Sequence, residues 1–211
     1  MTFQPSLAGL EPEQDGRAAQ PTGLSYVGDY IDVDEEQGLL HRIDVENAAE
    51  WLPDLSRRVQ HYGYRYDYKA RTISRDMWLG PLPEWLASLG ERLVRHHHIE
   101  RSPEQVIVNE YLPGQGIAPH IDCLPCFGPS VVTLSLGSAC VMDFEHAQTG
   151  RKYDLLLEAR SLSVFTGDAR YAWKHGIAKR QKDRTSSGAF DRRRRVSLTF
   201  RTVIERAQAP E

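Results

Sequence analysis

From Val106 onward the chain reads as short apolar runs broken by turn residues. The runs are Val106–Tyr111, Ile117–Asp122, Val131–Leu136, Cys140–Phe144, Tyr153–Leu157, Ser161–Phe165, Tyr171–His175 and Val196–Val203. Runs of this length, roughly ten residues apart, predict the strands of a sandwich, jelly roll or barrel. Upstream, the pattern predicts a strand over Leu24–Ile31, a helix start in the acidic Asp32–Glu36 and a strand over Gly38–Ile43. A helix is expected from Val45 towards Val59, with Pro53 near its first turn. Trp85, Leu86, Leu89, Leu93 and Val94 recur at three- and four-residue spacing behind Pro81 and Pro83, which predicts a further helix. His96, His97 and His98 follow it; consecutive histidines share no face, so they read as a solvated helix end. Lys179–Asp191 is polar and reads as a mobile surface loop. Helices that precede strands, rather than alternating with them, make the fold class α+β. The expected architecture is a double-stranded β-helix (jelly roll) core with N-terminal helices packed outside.

Met1–Gly23 is rich in Pro, Gly, Gln and charge and is expected to be a flexible arm, with 24–211 as one domain. Hydrophobic residues make up 40% and charged residues 26%, ordinary for a globular chain. The net charge of −3 excludes a broad basic field, and with it a tight non-specific nucleic-acid binder. It leaves room for an enzyme with one local basic face. No apolar run approaches the roughly 18 residues a membrane helix needs, and the N-terminus has no signal-peptide pattern. Cysteines number three, too few for a disulfide scaffold, and point to a reducing, cytoplasmic setting. A monomer with no membrane association is expected.

Candidate chemistry concentrates in one stretch. After Val106–Val108 and the Pro113-Gly114 turn, the chain re-emerges as His120-x-Asp122. In a strand, residues i and i+2 face the same way, so imidazole and carboxylate aim at one spot. Such a pair forms two-thirds of the 2-His-1-carboxylate triad that leaves positions open on a non-haem Fe(II). The third ligand has to be a distant histidine, and His41, His61, His146 and the triple cluster qualify by type. His175 alone combines an apolar strand with a following glycine that admits a close neighbour. Further on, alternation sets Val196, Leu198 and Phe200 on one strand face and Arg195, Ser197, Thr199 and Arg201 on the other. Two arginines facing inward suit a small dianionic acid, because guanidinium binds carboxylate through paired charge-assisted hydrogen bonds. A solvated face continuing the basic run Arg192–Arg195 is the alternative.

His120-x-Asp122, His175 and Arg195-x5-Arg201 together resemble the AlkB family of Fe(II)/2-oxoglutarate dioxygenases. The resemblance spans about residues 60 to 204 and includes Asn109-x-Tyr111, Pro113-Gly114-Gln115-Gly116, Ser135-Leu136-Gly137-Ser138 and Met142-Asp143-Phe144. The wording around His120 is most similar to the dioxygenase domain of the animal homologue that modifies tRNA. The resemblance implies that His120, Asp122 and His175 hold Fe(II), with 2-oxoglutarate and O2 as co-substrates. It further implies that Asn109, Tyr111, Arg195 and Arg201 contact 2-oxoglutarate. The implied activity is oxidation of an alkylated or modified base in nucleic acid, by demethylation of DNA or RNA or by hydroxylation of a tRNA base. The same chemistry on a protein side chain or small metabolite is the alternative.

A base must leave its stack to reach a buried iron, so the partner is expected to be a single-stranded or flipped nucleic acid. Tyr62, Tyr64, Tyr66 and Tyr68 recur at period two and read as one face of a strand. Tyr62, Tyr64 and Tyr66 are taken as the nucleotide-facing set, with Arg65, Lys69 and Arg71 on phosphates. Where the DNA-repair founders of the family carry a second acid facing the base, this chain has Leu124, the fourth substrate-contact candidate. Cys123-x-x-Cys126 next to Asp122 reads as pocket lining or oxidation-prone thiols, since a single CxxC is poor evidence for zinc.

Overall fold

The structure is a computed structural model that describes residues 19–52 and 56–204. Two antiparallel sheets face each other. Their strands are β1 (Leu24–Val27), β2 (Val59–Tyr62), β3 (Gln105–Tyr111), β4 (Ile117–His120), β5 (Phe127–Gly137), β6 (Cys140–His146), β7 (Lys152–Leu157), β8 (Leu162–Phe165), β9 (Trp173–Ile177) and β12 (Arg195–Val203). The large sheet runs β1-β8-β5-β12-β3-β2 and the small one β4-β9-β6-β7. A separate hairpin pairs β10 (Lys182–Thr185) with β11 (Gly188–Asp191). Helices α1 (Val33–His41) and α2 (Glu84–Arg95) cover the outer face of the large sheet, and a one-turn α3 (Gly167–Tyr171) precedes β9. This is the jelly-roll arrangement expected from the strand pattern.

Strand β12 lies at the centre and explains the two cores. Its Val196, Leu198 and Phe200 pack with Val106 and Val108 of β3, Leu134 of β5, and Leu86, Leu89 and Leu93 of α2. Burying each such side chain contributes about 1.5–3 kcal/mol. The opposite face of β12 looks into the space between the sheets, closed at one side by Tyr111, Val131, Met142, Phe144, Phe165 and Trp173.

Several local expectations are corrected. Gly38–Ile43 is helical, not a strand: α1 begins at Asp32, whose side chain accepts from the Glu35 amide at 2.8 Å. It runs on into a wider turn over Arg42–Glu46. Leu39 and Ile43 lie four apart, and that spacing puts both on the buried helical face. The helix from Val45 towards Val59 does not form; a short 3-10 turn (Ala48–Glu50) and then β2 take its place, while Pro53 lies outside the described residues. Lys179–Asp191 is a hairpin held down by fully buried Asp183, which accepts from Arg192 and Arg180 and from the Val141 amide. The expected arm to Gly23 lies outside the described residues up to 18. Its last residues are bound in, Thr22 O accepting from Ala169 N and Gly23 O from Thr166 N, both at 2.9 Å.

Glycine matters most where β4 meets β9. A Cβ on Gly176 would stand 2.9 Å from Pro119 N and 3.0 Å from Ile117 O, both backbone atoms of the neighbouring strand. Gly176→Ala therefore forces β4 and β9 apart without touching either histidine. Metal affinity is expected to fall at least about tenfold, read by Mn(II) titration, with the far-UV circular dichroism unchanged.

Candidate metal centre and co-substrate cavity

Pairing of β4 with β9 sets His120 directly opposite His175, with ring centroids 4.5 Å apart. Asp122 lies just past the end of β4, in the loop that leads to β5, and its Oδ1 is 3.6 Å from His120 Nε2. Among the described residues these three form a cluster whose donor atoms all lie within 4.8 Å of one another. The Nδ1 of His120 is 2.9 Å from the carbonyl of Ala118. A carbonyl only accepts, so Nδ1 carries a proton and Nε2 is the ring atom turned towards Asp122 and His175.

Around Asp122 the loop is pinned by buried Arg170. Its Nη1 donates to Asp122 O at 3.0 Å, its Nη2 to Phe127 O at 3.2 Å, and its Nε to Gly128 O at 3.2 Å. The carboxylate itself receives Arg201 Nη2 at 3.2 Å and Nε at 3.4 Å. Burial alone would raise the Asp122 pKa, but Arg201 and the two histidines outweigh it and hold the carboxyl well below the usual range.

Burial pushes His175 down from 6.5 to about 3, assisted by the neighbouring His120. The folded, metal-free protein thus keeps this imidazole neutral, as a metal ligand must be. The unfolded chain takes up a proton near its ordinary value, so stability is intact above about pH 6.5 and falls as pH drops towards 3. The contribution of Asp122 has the same sign and lies lower, present above 3.8 and lost as pH falls below it. Melting of the chelated protein should decline between pH 6.5 and 4, and His175→Leu should flatten that decline, by at most about 1.4 kcal/mol per pH unit.

The cavity above these ligands has a volume of about 430 Å³. From the large sheet it is lined by Asn109, Tyr111, Arg195, Ser197, Thr199 and Arg201, the polar face expected from alternation along β12. Arg195 and Arg201 are 2% and 8% exposed, so the solvated-face alternative falls away. Arg195 Nη2 donates to Ser135 Oγ at 2.9 Å, its guanidinium lies 5.4 Å from the Tyr111 ring, and its buried Nε has no partner among the described residues.

The four tyrosines do not share one strand face. Gly63 adopts φ +76°, with the Glu104 carbonyl so close that a Cβ would meet it at 1.8 Å, and the strand stops there. Tyr62 is buried against Trp85 and donates to Gln60 Oε1 at 3.0 Å, so it is a core residue and not a substrate contact. Tyr64 bridges to Trp78 off the cavity wall. Tyr66 and Tyr68 do line the cavity, with Arg71, and both are tied to His61: Nδ1 accepts from Tyr66 N at 3.2 Å, and Nε2 lies 3.3 Å from the Tyr68 hydroxyl. Arg65 and Lys69 are exposed away from it. Leu124 is 45% exposed and outside the cavity lining, because the loop turns after Cys123. That turn brings the Cα atoms of Cys123 and Cys126 to 5.3 Å, where the two form a disulfide, and Cys123 lines the cavity as the pocket-lining reading expected.

Missed by the sequence reading was buried Arg57, whose Nε donates to Asn109 Oδ1 at 2.9 Å. It belongs to no periodic pattern; the Arg57-Arg58 pair ahead of an apolar strand was the one available hint. No helix of the described residues is long and apolar enough to cross a membrane.

A family model described as the 2OG-Fe(II) oxygenase superfamily matches residues 36–201. Uncharacterized protein L905 of Acanthamoeba polyphaga mimivirus is 36% identical over 194 residues, covering 90% of this chain and 89% of that protein. The tRNA (carboxymethyluridine(34)-5-O)-methyltransferase ALKBH8 of Mus musculus is 40% identical over 173 residues, covering 80% of this chain and 26% of that protein. The chain thus spans about a quarter of the mouse protein's length. In backbone shape it matches the structure of OsALKBH1 with a TM-score of 0.68 at 18% identity, over 88% of this chain and 99% of that one. A match running from within α1 to Arg201 of β12, with an alkB homolog 7 of Bos taurus 36% identical over 80% of this chain and 77% of that protein, means that the chain belongs to the 2OG-Fe(II) oxygenase superfamily and to its AlkB-type members.

Proposed function

We propose that this chain oxidises a modified or alkylated base in nucleic acid, using Fe(II), 2-oxoglutarate and O2, and that 24–211 form one catalytic domain. The carrying observation is that a His120–Asp122–His175 cluster and buried Arg195, whose Nε has no partner among the described residues, line one cavity. The residues fit the groups. Two imidazoles and one carboxylate are the donor set of a facial Fe(II) site. An orphaned Arg195 Nε is what a docking carboxylate would satisfy.

When bound, the metal with O2 supplies oxidation of a substrate C–H bond, coupled to conversion of 2-oxoglutarate into succinate and CO2. His120, Asp122 and His175 would hold the metal, their donor atoms lying within 4.8 Å of one another. Arg201 keeps Asp122 ionised and correctly turned. Arg195 pairs with the distal carboxylate of the oxo acid, and Asn109 and Tyr111 donate to it. Tyr66 and Tyr68 give an extruded base an aromatic wall, and Arg71 at the rim meets its phosphate. The nucleic-acid reading draws support from the ALKBH8 likeness and from this aromatic and basic rim.

The test is a panel of methylated and wobble-modified oligonucleotides, with succinate release and product mass as readouts. Turnover on at least one oligonucleotide is expected, with a gain of one oxygen or loss of one methyl. Release of succinate at the same rate with and without every oligonucleotide would refute the nucleic-acid substrate.

A further inference from the structure

The cavity holds one more buried cation than the reading above uses. Arg57 lies on its wall beside Asn109 and Tyr111, just ahead of β2, whose Val59 pairs with Asn109. Among the described residues its guanidinium makes one hydrogen bond, from Nε to Asn109 Oδ1 at 2.9 Å, and it faces no carboxylate. Arginine has donors only, so the oxygen of the Asn109 amide must point at Arg57. The Asn109 NH2 is then the end left for the cavity, as a pair of donors. Arg57 also lies 5.7 Å from the Tyr111 ring, and Arg195 lies 5.4 Å from the same ring. Two guanidinium groups therefore flank Tyr111, while Arg201 is already committed to Asp122.

We propose that Arg57 is a positioning residue for the oxo-acid co-substrate, locking the Asn109 amide with its NH2 towards the cavity and adding a second cation beside Arg195. This rests on the oxygenase reading. It makes the site selective for a 2-oxo acid with a second, distal carboxylate, since a monoanion leaves two buried guanidinium groups without a counter-charge. It also separates Arg57 from base recognition, which falls to Tyr66, Tyr68 and Arg71.

Equilibrium binding of 2-oxoglutarate to Mn(II)-loaded protein, measured by calorimetry, tests this without turnover. Arg57→Gln is expected to weaken binding on the order of tenfold to a hundredfold, with Arg57→Lys intermediate because it keeps charge but not the fork. Asn109→Asp, near-isosteric and still able to accept from Arg57, should weaken binding as much, because it removes the NH2 donors and neutralises Arg57. In turnover, Arg57→Gln should raise KM for 2-oxoglutarate and leave KM for the oligonucleotide unchanged. Unchanged 2-oxoglutarate affinity in both folded variants would overturn the inference, as would a loss confined to oligonucleotide affinity. Failure of the wild-type Mn(II) protein to bind 2-oxoglutarate would instead overturn the oxygenase reading, and the inference with it.

Discussion

Asp122→Ala is expected to abolish metal binding and succinate production, and to lower the melting temperature of the metal-free protein as well. The second effect follows from charge. Arg201 is 8% exposed and its guanidinium is shared between Asp122 and Gln105 Oε1. Removing one partner of a buried pair typically costs 3–5 kcal/mol, roughly, because the other charge stays desolvated. For a domain of this size that is on the order of 10 °C. Adding Arg201→Met to Asp122→Ala should restore much of the melting temperature and none of the metal affinity, a coupling a double-mutant cycle reads directly. If Asp122→Ala melted like the wild type and still bound Mn(II), the carboxylate would be neither ligand nor counter-charge.

Arg195→Met should behave in the opposite way. Arg195 is 2% exposed, its Nε is orphaned, and no carboxylate meets it among the described residues. A buried cation in this state is a standing cost to the metal-free fold, and a flexible apolar side chain of similar length removes it. The variant should melt at or above the wild-type temperature. The wild type with Mn(II) should gain stability on adding 2-oxoglutarate, about 2.7 kcal/mol at a hundredfold excess over Kd. Arg195→Met should lose that gain, its affinity falling by more than about a hundredfold because the distal carboxylate would lose its paired guanidinium and keep only Arg57 nearby. A variant that melts lower and still gains stability from 2-oxoglutarate would show that Arg195 is a structural residue.

How far the site was legible depended on whether periodicity survived from strand to sheet. Arg195, Ser197, Thr199 and Arg201 were readable because β12 is paired on both sides along its length, which keeps alternate side chains on one face. His175 was readable because its glycine signalled the close approach of β4. The Tyr62–Tyr68 run misled because Gly63 turns left-handed and breaks the period after Tyr62. Leu124 misled for a related reason: two residues past Asp122 the chain is in a turn, and the side chain points to solvent.

By itself, then, the sequence determined the donor types, the inward arginine face and the order of helices before strands, since these follow from side-chain chemistry and local period. Only the tertiary structure decided which tyrosines reach the cavity, and that Arg57 stands beside Asn109. Those facts come from strand pairing and loop closure between distant residues, 52 positions apart for Arg57 and Asn109, and no local pattern encodes them.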